Sequence, residues 1–201
     1  VEKGAYELAS ADRMGTERRW EQAHDRHVAA IRDACDRLDG LHVVVDLGNG
    51  AGAVSPEALR ALGARVTTLN GQADGQFPAR PSEPTAETCA GLCRFVAATD
   101  ADLGIAHDGD ADRMMAVDEN GDFVPGDHLL ALFARAATGE GDVIPAPLNT
   151  SLVVDDALDA VGASVARTKV GDVFVAERVA ETDAPFGGEP SGAWLWPAET
   201  R

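Results

Sequence analysis

The chain has 201 residues, 45% of them hydrophobic, enough to bury one large core or two small ones. Its 34 acidic side chains outnumber 17 basic ones and leave a formal net charge of −17, which argues against nucleic acid and anionic membrane as partners. Three cysteines cannot all pair within the chain and no apolar run approaches a membrane span, so the composition points to a reducing, cytoplasmic setting.

Only Lys3 and Lys169 are lysines; every other cation is arginine. So acidic a surface suits adaptation to high salt and an ordinary acidic cytosolic protein alike.

Residues 1 to 39 are polar, with Trp20, His27, Val28, Ile31, Cys35 and Leu38 forming an apolar stripe that predicts one amphipathic linker helix. A first α/β module is expected over residues 40 to 138. It opens with a Val-rich strand, His42 to Asp46, and a glycine-rich turn, Gly48 to Gly52. Ser55-Pro56-Glu57 reads as a helix start with Ser55 as cap, and Gly63 ends that helix. A strand at Arg65 to Leu69 and a Pro/Gly-dense loop come next. The helix that follows has Cys89, Leu92, Cys93 and Val96 on one face, and its cysteines are core residues. Strands at Leu103 to His107 and Met114 to Val117 flank a carboxylate loop, and Asp127 is expected to cap a helix over Leu129 to Ala136.

The Gly-rich, acidic segment Thr138 to Asp142 marks the expected boundary, with a second module over residues 139 to 201. Here the strands are Val143 to Leu148, Ser164 to Thr168, Phe186 to Glu189 and the tail Ala193 to Trp196. Helices are expected at Asn149 to Val161 and Asp172 to Thr182. The fold class is α/β: two consecutive three-layer modules, each a mostly parallel mixed sheet with helices on both faces, the second incomplete. With no final helix over it, that second sheet should leave Trp194 and Trp196 partly uncovered.

The sharpest chemical signal is Asp108-Gly109-Asp110-Ala111-Asp112-Arg113. Three carboxylates within five residues at the end of a strand repel one another unless a cation sits among them, and hard oxygen ligands suit Mg²⁺ or Ca²⁺. An EF-hand calcium loop fits Asp108, Asp110, Asp112 and Glu119 but has Arg113 where a glycine is needed, between strand-like flanks. An aspartyl-phosphate hydrolase with Asp108 as nucleophile and Asp110 as acid leaves Asp112 and Arg113 idle. Gly48, Gly50 and Gly52 miss the last glycine of a dinucleotide fingerprint and read as a tight turn. In the second module, Lys169 lies between a strand end and a helix start, suited to phosphate or a proton. Gly188, Glu189 and Ser191 form a glycine-framed loop that could grip sugar hydroxyls or be an ordinary turn.

In this order VVVDLGNGAG, DGQFPARPSEPT, ADLGIAHDGDADR, TKVGD and GGEPSGAW resemble the α-D-phosphohexomutases, the superfamily of phosphoglucomutase, phosphomannomutase and phosphoglucosamine mutase. Members have four domains, and the resemblance assigns this chain the second and most of the third. It implies that Asp108, Asp110 and Asp112 hold Mg²⁺, Arg113 stabilises the transferring phosphate, Lys169 handles phosphate or a proton, and Gly188, Glu189 and Ser191 hold the sugar. The reaction implied is phosphate transfer between the 1- and 6-positions of a hexose phosphate. No serine here matches the family's phosphoserine loop and no terminal phosphate loop follows, so the chain is expected to need N- and C-terminal domains of the same enzyme and to be inactive alone. Ala193 stands where some members have histidine.

Overall fold

The computed structural model describes residues 8–198. The first sheet has the order β2-β1-β3-β4-β5. Strands β1 (His42–Asp46), β2 (Arg65–Leu69) and β3 (Leu103–His107) run parallel, whereas β4 (Met114–Val117) and β5 (Phe123–Val124) are antiparallel additions. The Val-rich run of β1 has a simple cause: it lies between two strands and under helices on both faces, so all five of its residues are buried. Val44 faces the core under α3 (Ala90–Ala97), with Cys89, Leu92 and Val96. Val43 and Val45 face the opposite side, toward α2 (Val54–Ala61) and its partner Leu59.

The expected linker helix exists as α1 (Ala23–Ala34), packed beside α2, but it is shorter than its stripe. Cys35 turns extended (φ −115°), and Trp20 precedes the helix with its exposed ring 5.3 Å from the Arg26 guanidinium carbon. Two expected caps also serve elsewhere. Ser55 lies inside α2 with its hydroxyl 3.0 Å from His107 Nε2, and the Asp127 carboxylate accepts the Ser151 N–H at 2.7 Å.

In the second unit, β6 (Val143–Pro147) and β7 (Ser164–Thr168) form a parallel pair, and β8 (Gly187–Gly188) pairs antiparallel with β9 (Trp194–Leu195). The two prolines of β6 fall at positions whose N–H would point away from β7, since Leu148, on the opposite parity, donates to the Thr168 carbonyl at 3.0 Å. They therefore cost the ladder no bond. Helix α5 (Val153–Asp159) is shorter than expected because the chain first turns at Leu148 and Asn149, with the Thr150 N–H on the Pro147 carbonyl. Opposite it, α6 (Asp172–Thr182) packs Val175 and Val179 on the bare Gly187.

Helix α4 (Gly126–Ala137) changes where the units divide. Leu130, Ala131 and Ala134 share a core with Ile144, Ala146, Leu158 and Phe186. In packing, then, the second unit begins near residue 125, and the Gly-rich segment 138–142 is only the loop from α4 to β6. Because Phe133 of α4 meets Trp194 and Trp196 edge-on, at 5.2 and 5.4 Å between ring centroids, both tryptophans are half-buried.

Candidate active site

The carboxylate loop leaves the carboxyl end of β3, where ligands bind in open α/β sheets. Asp108 is 3% exposed while Asp110 and Asp112 open to solvent, and the three can bring one oxygen each within 4.8 Å of one another. Among the described residues this is the set of three or more acidic, His or Cys ligands able to share a metal ion. Ala111 holds the bend with φ +64°, a left-handed backbone unusual for alanine. β3 and β4 flank the loop as strands, so the helix pair of an EF-hand is absent.

Arg113 closes the loop on itself. Its backbone N–H donates to Asp108 Oδ1 at 3.1 Å and its Nε to Oδ2 at 3.0 Å, while Nη1 reaches Glu83 Oε1 at 2.6 Å. Burial pushes the Asp108 carboxyl upward, but these bonds outweigh it and hold the group below the usual range. Asp112 is raised by burial and then by the charges of Asp108 and Asp110, the mutual repulsion a cation would relieve. Both oxygens of Asp108 are already engaged by Arg113, which does not suit an attacking nucleophile.

The glycine-rich turn after β1 is the seat on which this loop rests. A Cβ on Gly50 would stand 2.5 Å from the Gly109 carbonyl oxygen and 2.9 Å from that of Asp108, and one on Gly52 would meet Ala111 Cβ at 3.2 Å. The Ala51 N–H donates to the Gly109 carbonyl at 3.0 Å. From the other side, Phe77 packs over Gly109 and Glu83 holds Arg113, so DGQFPARPSEPT forms a second wall. Below lies His107, its Nδ1 3.2 Å from the Arg113 carbonyl oxygen and its pKa lowered mainly by burial. Arg80 and Asp46 form a buried ion pair at 2.8 Å beneath both loops. Sequence reasoning gave no role to Arg80, Glu83 or His107, because no local periodicity betrays partners such as Arg80 and Asp46, 34 positions apart, or Glu83 and Arg113, 30 apart.

The second cluster forms around Glu189, which is 9% exposed. Its Oε1 accepts the Gly171 N–H at 2.7 Å, and its Oε2 accepts the Ser191 hydroxyl at 3.2 Å. One carboxylate thus joins the TKVGD loop to the GGEPSG loop, and Gly171 at φ +129° needs glycine's freedom. Lys169, two residues before Gly171, has its ammonium 5.2 Å from the Phe174 ring centroid. It lines a cavity of about 370 Å³ with Arg167, Arg178 and Glu177. Gly188 is buried in β8, where a Cβ would crowd Trp194 at 2.9 Å and Leu130 at 3.1 Å. The two clusters meet through backbone: the Met114 N–H, next to Arg113, donates to the Gly192 carbonyl at 3.0 Å.

The phosphoglucomutase/phosphomannomutase family matches twice, through its α/β/α domain II over residues 24–121 and its α/β/α domain III over residues 125–201. The chain belongs to that family and carries its second and third domains. A probable phosphoglucosamine mutase of Methanosarcina acetivorans is 51% identical over 84% of this chain and 40% of its own length. A phosphoglucomutase/phosphomannomutase family protein from Burkholderia thailandensis superposes with a TM-score of 0.81 at 30% identity, over 88% of this chain and 39% of that one. An Aspergillus fumigatus N-acetylphosphoglucosamine mutase, solved with GlcNAc-6P and magnesium, shares the fold at a TM-score of 0.55 and 17% identity, over 87% of this chain and 39% of its own. The chain spans about two fifths of the length of the curated relatives it matches. Among the described residues no helix is long and apolar enough to cross a membrane.

Proposed function

We propose that this chain is the metal-binding and sugar-binding portion of a phosphohexomutase whose substrate is a glucosamine phosphate. The observation that carries the reading is the Met114 to Gly192 hydrogen bond, which sets the Asp108 to Arg113 loop beside the Glu189 to Ser191 loop. The name of the Methanosarcina acetivorans relative supports the choice of glucosamine over glucose or mannose.

Asp108, Asp110 and Asp112 fit Mg²⁺ by donor chemistry, three hard oxygens within reach of one another. When bound, the ion neutralises charge on the phosphoryl oxygens. The remaining work falls to the chain's own side chains. Arg113, held at Nε by Asp108 and at Nη1 by Glu83, keeps Nη2 free of those two bonds to face a phosphate oxygen. Lys169 supplies a mobile cation for the same phosphate, or a proton for the sugar oxygen from which the phosphate departs. Glu189 and Ser191 orient the ring by accepting from and donating to vicinal hydroxyls, on a backbone that Gly188 sets against Trp194. The phosphoserine and the grip on the substrate's own phosphate belong to domains outside these 201 residues.

Calorimetric titration with glucosamine 6-phosphate tests this reading. Binding should require Mg²⁺ and disappear in Glu189→Ala; binding unaffected by both would contradict it. Turnover of a hexose 1-phosphate by these 201 residues alone, in a coupled assay, would contradict the division of labour.

A further inference from the structure

We propose that Arg80 is a positioning residue that sets the geometry of the Asp108 to Asp112 loop through the carbonyl of His107. The inference rests on the metal reading above and deepens it.

A guanidinium carries five N–H donors, and in Arg80 the structure gives them five acceptors. Nε donates to Asp46 Oδ2 at 2.8 Å; Nη2 donates to the His107 carbonyl at 2.6 Å and to the Asp46 carbonyl at 3.4 Å; Nη1 donates to the carbonyls of Pro81 at 3.1 Å and Ser82 at 3.2 Å. Three segments far apart in sequence, the end of β1, the end of β3 and the 79–82 loop, thus meet on one buried planar group. Asp46 is fixed in turn, its Oδ1 accepting the Gly48 N–H at 2.9 Å and Asn70 Nδ2 at 2.8 Å. The guanidinium also passes over Gly48, where a Cβ would stand 2.7 Å from its central carbon. Gly48 is therefore bare for a reason beyond its turn, since a side chain there would displace Arg80.

His107 is the residue immediately before Asp108, so its carbonyl fixes where the carboxylate loop begins. The end of the loop is fixed separately, by His107 Nδ1 on the Arg113 carbonyl and by the Met114 N–H on Gly192. A loop that carries three mutually repelling carboxylates and a left-handed alanine spreads unless both ends are held. Holding them spares the ordering cost at the moment a cation binds. Lysine, with three donors on one nitrogen, cannot span these acceptors in one plane.

The test is the affinity for Mn²⁺, read by electron paramagnetic resonance, in the wild-type chain, Arg80→Lys and Arg80→Ala, with far-ultraviolet circular dichroism to follow the fold. Partners of this kind are worth about 10- to 100-fold in metal affinity. Arg80→Lys should therefore bind Mn²⁺ at least tenfold more weakly, on the order of that range, with its secondary structure intact. In Arg80→Ala, millimolar guanidinium ion should restore much of the loss, whereas equimolar methylammonium should not. Wild-type affinity in either folded variant overturns the inference, as does rescue by methylammonium equal to that by guanidinium. If the wild-type chain itself binds no Mn²⁺, the metal reading fails first, and the two failures are distinct.

Discussion

Met114 and Gly192 are joined by a backbone hydrogen bond of 3.0 Å, and the Trp194 indole returns the tie by donating Nε1 to the Met114 carbonyl at 2.9 Å. The residue that ends the carboxylate loop is thereby gripped on both its polar groups by the segment that follows Glu189. Trp194→Phe keeps the ring contact with Phe133 but leaves the Met114 carbonyl without its donor. It should cost about 1 kcal/mol, or about 2–4 °C in the midpoint of thermal unfolding. A midpoint unchanged within error would show that the indole bond contributes nothing.

Gly50 and Gly91 make opposite predictions for the same substitution. At Gly50 an added Cβ meets the carbonyl oxygens of Gly109 and Asp108, backbone that cannot swing aside, whereas at Gly91, in α3, it meets nothing within 4 Å. Gly50→Ala should displace the carboxylate loop and weaken Mg²⁺ binding by an order of magnitude or more, about the range of an outer-partner loss. Gly91→Ala should instead raise stability by up to about 1 kcal/mol with metal affinity unchanged. Calorimetry with Mg²⁺ and thermal melts on the two variants check both.

Cys89 carries a pH dependence whose sign is fixed by burial. The thiol is fully buried, and burial pushes its pKa up to about 11 from an ordinary 9.0, with Arg80 pulling weakly the other way. The folded state thus keeps a proton that the unfolded state gives up, so stability is lost as pH rises from about 9 toward 11. Melts of wild type and Cys89→Ala across that range should converge, because the variant lacks the thiol. A maleimide at pH 7 should label exposed Cys35 rapidly and Cys89 only on unfolding.

Glu189 separates a structural role from a binding one. Glu189→Ala strands the Gly171 N–H and the Ser191 hydroxyl and should cost about 2 kcal/mol, within the range for bonds to a charged group. Glu189→Gln retains an oxygen acceptor for the Gly171 N–H and offers an amide N–H to the Ser191 hydroxyl, with that bond's direction reversed; it should recover most of that stability, yet bind glucosamine 6-phosphate more weakly. Equal stability of the two variants would contradict the bridging role.

The sequence made the strands readable because β1 and β3 are short apolar runs bounded by Gly and Asp, and their spans match the structure residue for residue. Asp108, Asp110, Asp112 and Arg113 were legible for the same local reason, as one loop within six residues. What was not legible depends on partners distant along the chain. The Arg80 to Asp46 pair spans 34 positions, and Ser55 and Asp127 look like caps until His107 and Ser151 claim their oxygens. The boundary was misplaced because Gly139 and Gly141 advertise a break in the chain, while the assignment of α4 depends on which core Leu130 and Ala134 enter.

Whether Asp108, Asp110 and Asp112 act together on one divalent cation is decided by a calorimetric Mg²⁺ titration of the wild-type chain and Asp110→Ala. One site per wild-type chain is expected and none in Asp110→Ala, with the fold unchanged by circular dichroism. A wild-type chain that takes up no Mg²⁺, or an Asp110→Ala variant that binds it as tightly, would contradict that joint action.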